Sequence, residues 1–138
     1  MPLLAGLDVG WLHLAPVGGA VSALGFAGLV ASMALNDWTM ATNPFLSTVV
    51  RVQTERGHRV VDTGPYALVR HPMYLAGLVG TLALPPALGT LLPLPASLAL
   101  AAVLVLRTAH EDEHLCEELA GYPAYAGRVK RRLLPGLW

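Results

Sequence analysis

The sequence predicts an all-α integral membrane protein. About three transmembrane helices are expected, two of them in a proline-broken helical hairpin, followed by a cytosolic C-terminal helical segment. Composition is the first reason: the 138 residues are 54% hydrophobic and 13% charged, with a mean hydropathy of +0.55, whereas a soluble domain is about a quarter charged. Segregation of charge is the second. Residues 1–50 hold only Asp8 and Asp37, residues 72–106 hold no charge, and the basic residues fall in 51–70 (Arg51, Arg56, Arg59, Arg70) or in 107–132 (Arg107, Arg128, Lys130, Arg131, Arg132). The third is the length of the uncharged runs, 9–36 and 71–106, since a helical crossing takes about 20 apolar residues.

The first run predicts a transmembrane helix from Val17 to Leu35, with Pro16 near its first turn and a short interfacial piece before it, anchored by Trp11. No basic segment precedes it and no cleavage pattern ends it, which argues against a signal peptide. Gly19, Ala23, Ala27 and Ala31 recur every four residues. Such a stripe admits a second helix closely, either within this chain or across a homodimer. The second run is interrupted by Pro85-Pro86, Gly89, Pro93 and Pro95. Proline removes a backbone donor and clashes with the preceding turn, so a hairpin is expected, Met73–Leu84 and then Ala96 through Arg107 into the acidic stretch.

A hairpin returns the chain to the side it left. Basic residues collect in the cytoplasm, so the N-terminus is expected outside and the C-terminus in the cytosol (of the inner membrane, in a bacterium). The single domain then divides into an N-terminal transmembrane region 1–36, a cytosolic loop 37–72, a hairpin 73–106 and a cytosolic segment 107–138. A formal net charge of zero argues against a nucleic-acid partner; the bilayer is the expected one. The lone Cys116 rules out an internal disulfide or a multi-cysteine metal site.

Two polar clusters are expected at the cytosolic face. In RGHRVVDTGPYALVRHPMYLAG (56–77), Gly64-Pro65 marks a turn and Arg70-His71-Pro72 starts a helix, with cations near an anion-attracting N-terminus. In RTAHEDEHLCEELAGYPAYAGRVKRRLLPGL (107–137), Arg107 and Glu111 share a helical face. Cations for a carboxylate, an anion for an ammonium and an apolar wall for a ring suit an amino-acid-bearing cofactor such as S-adenosylmethionine.

GPYALVRHPMYLAG, then after a hairpin RTAHEDEHL and YPAYAGRVKRRLLPGL, resembles the isoprenylcysteine carboxyl methyltransferase family and its phospholipid methyltransferase relatives. The resemblance runs from about Asn43 to the C-terminus. It implies a helical membrane enzyme that binds S-adenosyl-L-methionine at the cytosolic face and methylates a carboxylate, thiol or amine on a lipid-like or small hydrophobic acceptor. By position, His71 and Tyr74 match the RHPxY segment, Arg107 and Glu111 the R-x-x-x-E, and Tyr122 and Tyr125 the Y-x-x-Y. Asp112 stands where the family has a second Glu. Catalytic roles are expected for Arg70, Arg107 and Glu111, and cofactor contacts for His71, Tyr74, Arg107, Glu111 and Tyr66. The duller readings are a snorkelling Arg70, a capping His71 and a Tyr66 in the interfacial aromatic belt. Asp112, Glu113, Glu117 and Glu118 read as a solvated face, Arg128 to Arg132 as a headgroup patch, and His13 and His58 have no assigned role.

His110-Glu111-Asp112-Glu113-His114 also satisfies H-E-x-x-H, the two-histidine pattern of zinc proteases. That alternative needs a third ligand, for which His71 or His58 can be nominated, and it sets Arg107 one turn from the metal. No metal is expected in the methyltransferase reading. A degenerate, non-catalytic membrane protein is a further alternative, and reductases built on related membrane folds are another.

Overall fold

Helices dominate the computed structural model, which describes residues 1–46 and 59–134. Helix α1 (Pro2–Leu7) runs into a π-helical turn, Asp8–Leu12. Helices α2 (Gly19–Thr42), α3 (Pro72–Ala87), α4 (Leu94–Glu118) and α5 (Tyr122–Arg128) follow, with a 3-10 turn at Gly64–Ala67 before α3. Among the described residues there is no strand, only an isolated antiparallel bridge between Pro16 and Thr90. Arg51, Arg56 and His58, and the closing residues 135–138, lie outside the described residues.

Among the described residues, two helices are long and apolar enough to cross a membrane: α2, of 24 residues, and α4, of 25. Their apolar side chains are largely not consumed by the protein. Leu24, Val30 and Met33 on α2 and Leu98, Val103 and Leu106 on α4 are all exposed, which along apolar helical stretches of this length points to a lipid environment. Helix α3 has 16 residues, about 24 Å at 1.5 Å per residue, short of a ~30 Å hydrocarbon core.

Several element ends depart from the sequence expectation, each for a local reason. Helix α2 begins at Gly19 rather than Val17, because the Val17 N–H donates to the Gly89 carbonyl (3.0 Å). It continues to Thr42, past the expected Leu35. The Thr39 and Thr42 hydroxyls donate to the carbonyls of Leu35 and Trp38, both at 2.7 Å. It stops before Asn43-Pro44, where a following proline disfavours helical geometry. Pro85 and Pro86 do not end α3; they lie in its last turn. The chain breaks instead at 88–93, where Gly89 takes a left-handed φ of +82°.

The chain forms two compact units, to each of which α2, α3 and α4 contribute a part. The first comprises Met1–Ala34 and Ala76–Leu104. Small residues make its packing. A side chain at Gly25 would come within 2.3 Å of the Ala87 nitrogen, and one at Gly28 within 2.8 Å of the Ala83 methyl. The Ser32 hydroxyl donates to the Ala76 carbonyl at 2.8 Å. Gly19, Ala23, Ala27 and Ala31 are exposed, so the close intrachain approach uses a different row of small residues from the one the sequence picks out. Asp8 closes the N-terminal segment. Its buried carboxylate accepts from the backbone N–H of Leu14 (2.6 Å) and Ala15 (3.2 Å) and from the Thr90 hydroxyl. Trp11, the expected anchor, is 83% exposed.

The second unit comprises Leu35–Leu75 and Val105–Trp138. Leu119, Tyr122 and Tyr125 form its core, with Val60, Leu115, Cys116, Ala126 and Val129 packed against them. Gly121, at φ +86°, turns the chain between α4 and α5. Beyond α5, residues 129–133 form a strap along the start of α3. The Arg70 N–H donates to the Arg131 carbonyl (2.8 Å) and the His71 N–H to that of Arg132 (3.0 Å). Those two N–H groups are therefore not available to an anion, contrary to the sequence-based view of this helix start.

Candidate functional site

Three local features of the second unit bring polar side chains together. The 3-10 turn Gly64–Ala67 begins on a left-handed Gly64 and buries Tyr66. Pro72 at the first position of α3 fixes the entry geometry, which leaves Arg70 and His71 immediately before the helix and Tyr74 in its first turn. The polar half of α4 carries Arg107, Glu111 and Asp112, and α5 carries Tyr122 and Tyr125.

Asp112 is the hub. It is 2% exposed, which corrects its reading as part of a solvated face. Arg70 grips it with Nε on one carboxylate oxygen and Nη2 on the other, each at 2.7 Å. His71 Nε2 lies 3.0 Å from Oδ1, the Tyr122 hydroxyl donates to Oδ1 at 2.9 Å, and Arg132 Nε donates to Oδ2 at 2.9 Å. Arg132 is thus drawn out of the expected headgroup patch. Arg128 pairs with Asp62 at 2.7 Å, in the open. The third guanidinium nitrogen of Arg70 donates to the Val129 carbonyl at 2.8 Å. Snorkelling does not describe Arg70, which is 8% exposed.

A second chain of contacts runs beside it. The Tyr74 hydroxyl donates to Glu111 Oε2 at 2.5 Å and accepts from Arg107 Nε at 2.8 Å. The Arg107 guanidinium also lies over the Tyr74 ring, 5.9 Å from its centroid, within cation–π range. Tyr66 takes a hydrogen bond from the Asn43 amide (2.9 Å), and the Tyr125 hydroxyl donates to the Tyr66 carbonyl (2.8 Å). Burial pushes the Tyr66 phenol up to about 12, a rise helped by Glu111 and opposed by Asn43. Burial likewise raises Tyr122, whose phenolate would also face Asp112, and Tyr125.

Most of these side chains line one cavity that opens to solvent at its mouth. Its polar wall carries Arg59, Arg70, His71, Glu111 and all four tyrosines; Phe45, Leu46, Val60, Met73, Leu115 and Leu119 make the apolar wall. The residues singled out from sequence thus gather here, with Arg107 reaching the wall through Tyr74. Asp112 and Arg132 are the participants that the sequence reading missed. One signal was present: Asp112 shares a helical face with Thr108 and Leu115, four residues before and three after it, and Thr108 is buried beside it on α4.

The histidines of H-E-x-x-H go elsewhere. His110 is exposed, and His114 lies 3.3 Å from Glu118, one turn on. Of the two nominated third ligands, His71 is engaged with Asp112 and His58 lies outside the described residues. Among the described residues no three His, Cys, Asp or Glu side chains converge as a ligand set.

No solved structure matches the chain. The Delta(14)-sterol reductase TM7SF2 of Mus musculus is 35% identical over 98 residues, which cover 68% of this chain and 23% of the reductase. The cobalt-zinc-cadmium resistance protein CzcN of Cupriavidus metallidurans is 33% identical over 105 residues, 73% of this chain and 47% of that protein. The chain therefore spans about a quarter and about half of these two relatives' lengths. Residues 23–117, from the second turn of α2 to the last turn of α4, match the family model described as the isoprenylcysteine carboxyl methyltransferase (ICMT) family. The cavity's Tyr66, Arg70, His71, Tyr74 and Glu111 all fall within that stretch, and this chain belongs to the isoprenylcysteine carboxyl methyltransferase family.

Proposed function

We propose that the chain binds S-adenosyl-L-methionine in the cavity of its second unit and methylates a lipid-like or small hydrophobic acceptor. Family membership and the two apolar helices point to an integral membrane methyltransferase. The observation that carries the finer reading is the junction of Tyr74, Glu111 and Arg107 beside a cavity with cationic, anionic and aromatic walls. The donor set fits the cofactor. Glu111 suits its ammonium, Arg59 its carboxylate, His71 its adenosine, and the tyrosine faces its adenine and sulfonium.

When bound, S-adenosyl-L-methionine supplies a methyl group made electrophilic by its sulfonium. The chain's task is then to hold the acceptor in line and exclude water, which contributes much of the rate gain in such reactions. Tyr74 and Arg107 keep Glu111 turned to the cavity. Phe45, Leu46, Met73 and Leu115 desolvate the acceptor. Arg70, expected from sequence to be catalytic, has donors on Asp112 and Val129, so its role here is to position its neighbours. The membrane arrangement belongs to the same proposal: α3 as a third, shorter crossing, the basic segments in the cytosol and the N-terminus outside. Charge bias supports it.

The test is calorimetry on the detergent-purified chain with S-adenosyl-L-methionine. Binding is expected, and Glu111→Gln should weaken it roughly 10- to 100-fold, the value of a charge-assisted hydrogen bond of about 1.5–3 kcal/mol. Absence of binding would overturn the reading. The identity to a sterol reductase makes NADPH the second ligand to titrate; its binding in place of the first would carry the reductase reading.

A further inference from the structure

Asp112 does not line the cavity, yet three of its partners do. Arg70, His71 and Tyr122 all face the space, and each holds the buried carboxylate. The fourth partner, Arg132, is off the wall and belongs to the strap 129–133. That strap also grips the same two residues through the backbone, at the Arg70 and His71 N–H groups and at Arg70 Nη1. It lies beyond the family-matched stretch, which ends at residue 117. Arg70 and His71 are therefore held from two directions by groups that never reach the cavity.

Stability alone is a weak explanation for such a cluster. Replacing a buried ion pair with packed apolar residues is often neutral or stabilising, whereas a fully satisfied network fixes one geometry. The hydrogen count is specific as well. An ionised carboxylate only accepts, so the hydrogen that His71 shares with Asp112 sits on Nε2. The one hydroxyl hydrogen of Tyr122 also goes to Asp112, at 2.9 Å, and not to His71 Nε2, at 3.3 Å.

We propose that Asp112, braced by Arg132 of the C-terminal strap, is the positioning residue of this site and sets the orientation and the Nε2–H form of His71 on the cavity wall. The effect on cofactor affinity rests on the methyltransferase reading; the state of His71 does not. Both are measured. Histidine-selective ¹⁵N spectra in micelles, with the His71 signals identified by their loss in His71→Gln among the five histidines, should show hydrogen on Nε2 in the unmodified chain. Asp112→Asn, whose amide can donate as well as accept, should release that preference, and Asp112→Glu should restore it. Arg132→Gln should weaken it while helix content by circular dichroism is kept. S-adenosyl-L-methionine should bind Asp112→Asn and Arg132→Gln roughly 10- to 100-fold more weakly, the usual cost of losing a supporting partner behind a ligand-binding group.

Unchanged His71 spectra and unchanged affinity in folded Asp112→Asn and Arg132→Gln would overturn the proposal. If Asp112→Asn does not fold, Arg132→Gln decides alone, because its side chain is only partly buried and its backbone contacts to His71 remain. If the unmodified chain binds no S-adenosyl-L-methionine but its His71 depends on Asp112 as described, the methyltransferase reading falls and the positioning role stands.

Discussion

Among the described residues each unit of this protein buries one carboxylate, and the two are satisfied in opposite ways. Asp8, in the first unit, takes its hydrogen bonds from two backbone N–H groups and a threonine. Its partners end on it, and the result is a closed turn. Asp112, in the second, takes its bonds from Arg70, His71, Tyr122 and Arg132, side chains that mostly present another surface to a cavity. The same contrast runs through the composition. Asp8 is the one acidic residue of the first unit, which has no Lys, Arg, Tyr or Cys; the second has every Lys and Arg, all four tyrosines and Cys116. A buried carboxylate held by neutral backbone donors stabilises a loop. One held by cations and rings organises a site.

Alkaline pH should break this contrast most strongly. Tyr66 is raised to about 12 and Tyr122 and Tyr125 are raised as well, in each case chiefly by burial, whereas unfolded tyrosines titrate near 10. Between those values the folded chain holds protons that the unfolded chain has lost. Their stabilisation is therefore complete below about pH 10 and is lost as pH rises through the folded values. The second unit should open first, while the first, without a tyrosine, lysine or arginine, persists. Fluorescence of single-tryptophan variants that keep either Trp11 (first unit) or Trp38 (second) resolves the order, and simultaneous loss of both signals would contradict it.

Removing a buried charge comes next. Arg70→Met keeps the side chain long but takes two 2.7 Å bonds from Asp112 and leaves a carboxylate short of countercharge. A loss of about 3–5 kcal/mol is expected for breaking a buried pair from one side, read as thermal unfolding in detergent. In the first unit the comparable lesion is steric. Gly25→Ala would put a methyl group 2.3 Å from the Ala87 nitrogen, and forcing extra volume into a tight contact costs about 1–3 kcal/mol. Gly19→Ala meets nothing within 4 Å and should leave the chain's own stability unchanged. Equal losses at the two glycines would show that the packing row has been misplaced.

The first unit was the easier one to anticipate. Its apolar helices follow from uncharged length, and its turn follows from prolines and Gly89, although Pro85 and Pro86 proved compatible with a last helical turn. Much of the site was also legible, because Arg70, His71, Tyr74 and Glu111 sit in short ordered motifs. Asp112 was hidden by its neighbours. It lies in an acidic run, HEDEH, whose charge suggests solvent, and its partners come from 42 residues upstream and 20 downstream. Arg132 was hidden in the same way, since counting the charges of Arg128 to Arg132 pools side chains that the fold separates. Local pattern reports which face of a helix is apolar; it does not report which single charge is neutralised from a distance.

The smallest expected effect tests that last point. Arg128–Asp62 and Arg70–Asp112 have the same 2.7 Å separation and similar chemistry, but their side chains are 62% and 48% exposed in one pair and 8% and 3% in the other. An exposed ion pair contributes about 0–1 kcal/mol, because water and salt screen it and two long side chains must be ordered to form it. Arg128→Ala should therefore change the thermal unfolding midpoint little, and the small change should disappear as salt is raised. Removal of Arg70 should remain costly in salt, since screening hardly reaches a buried pair. A loss at Arg128 approaching that at Arg70 would mean that contact distance rather than burial sets the strength of these pairs, and that the network at Asp112 differs from a surface contact only in its number of partners.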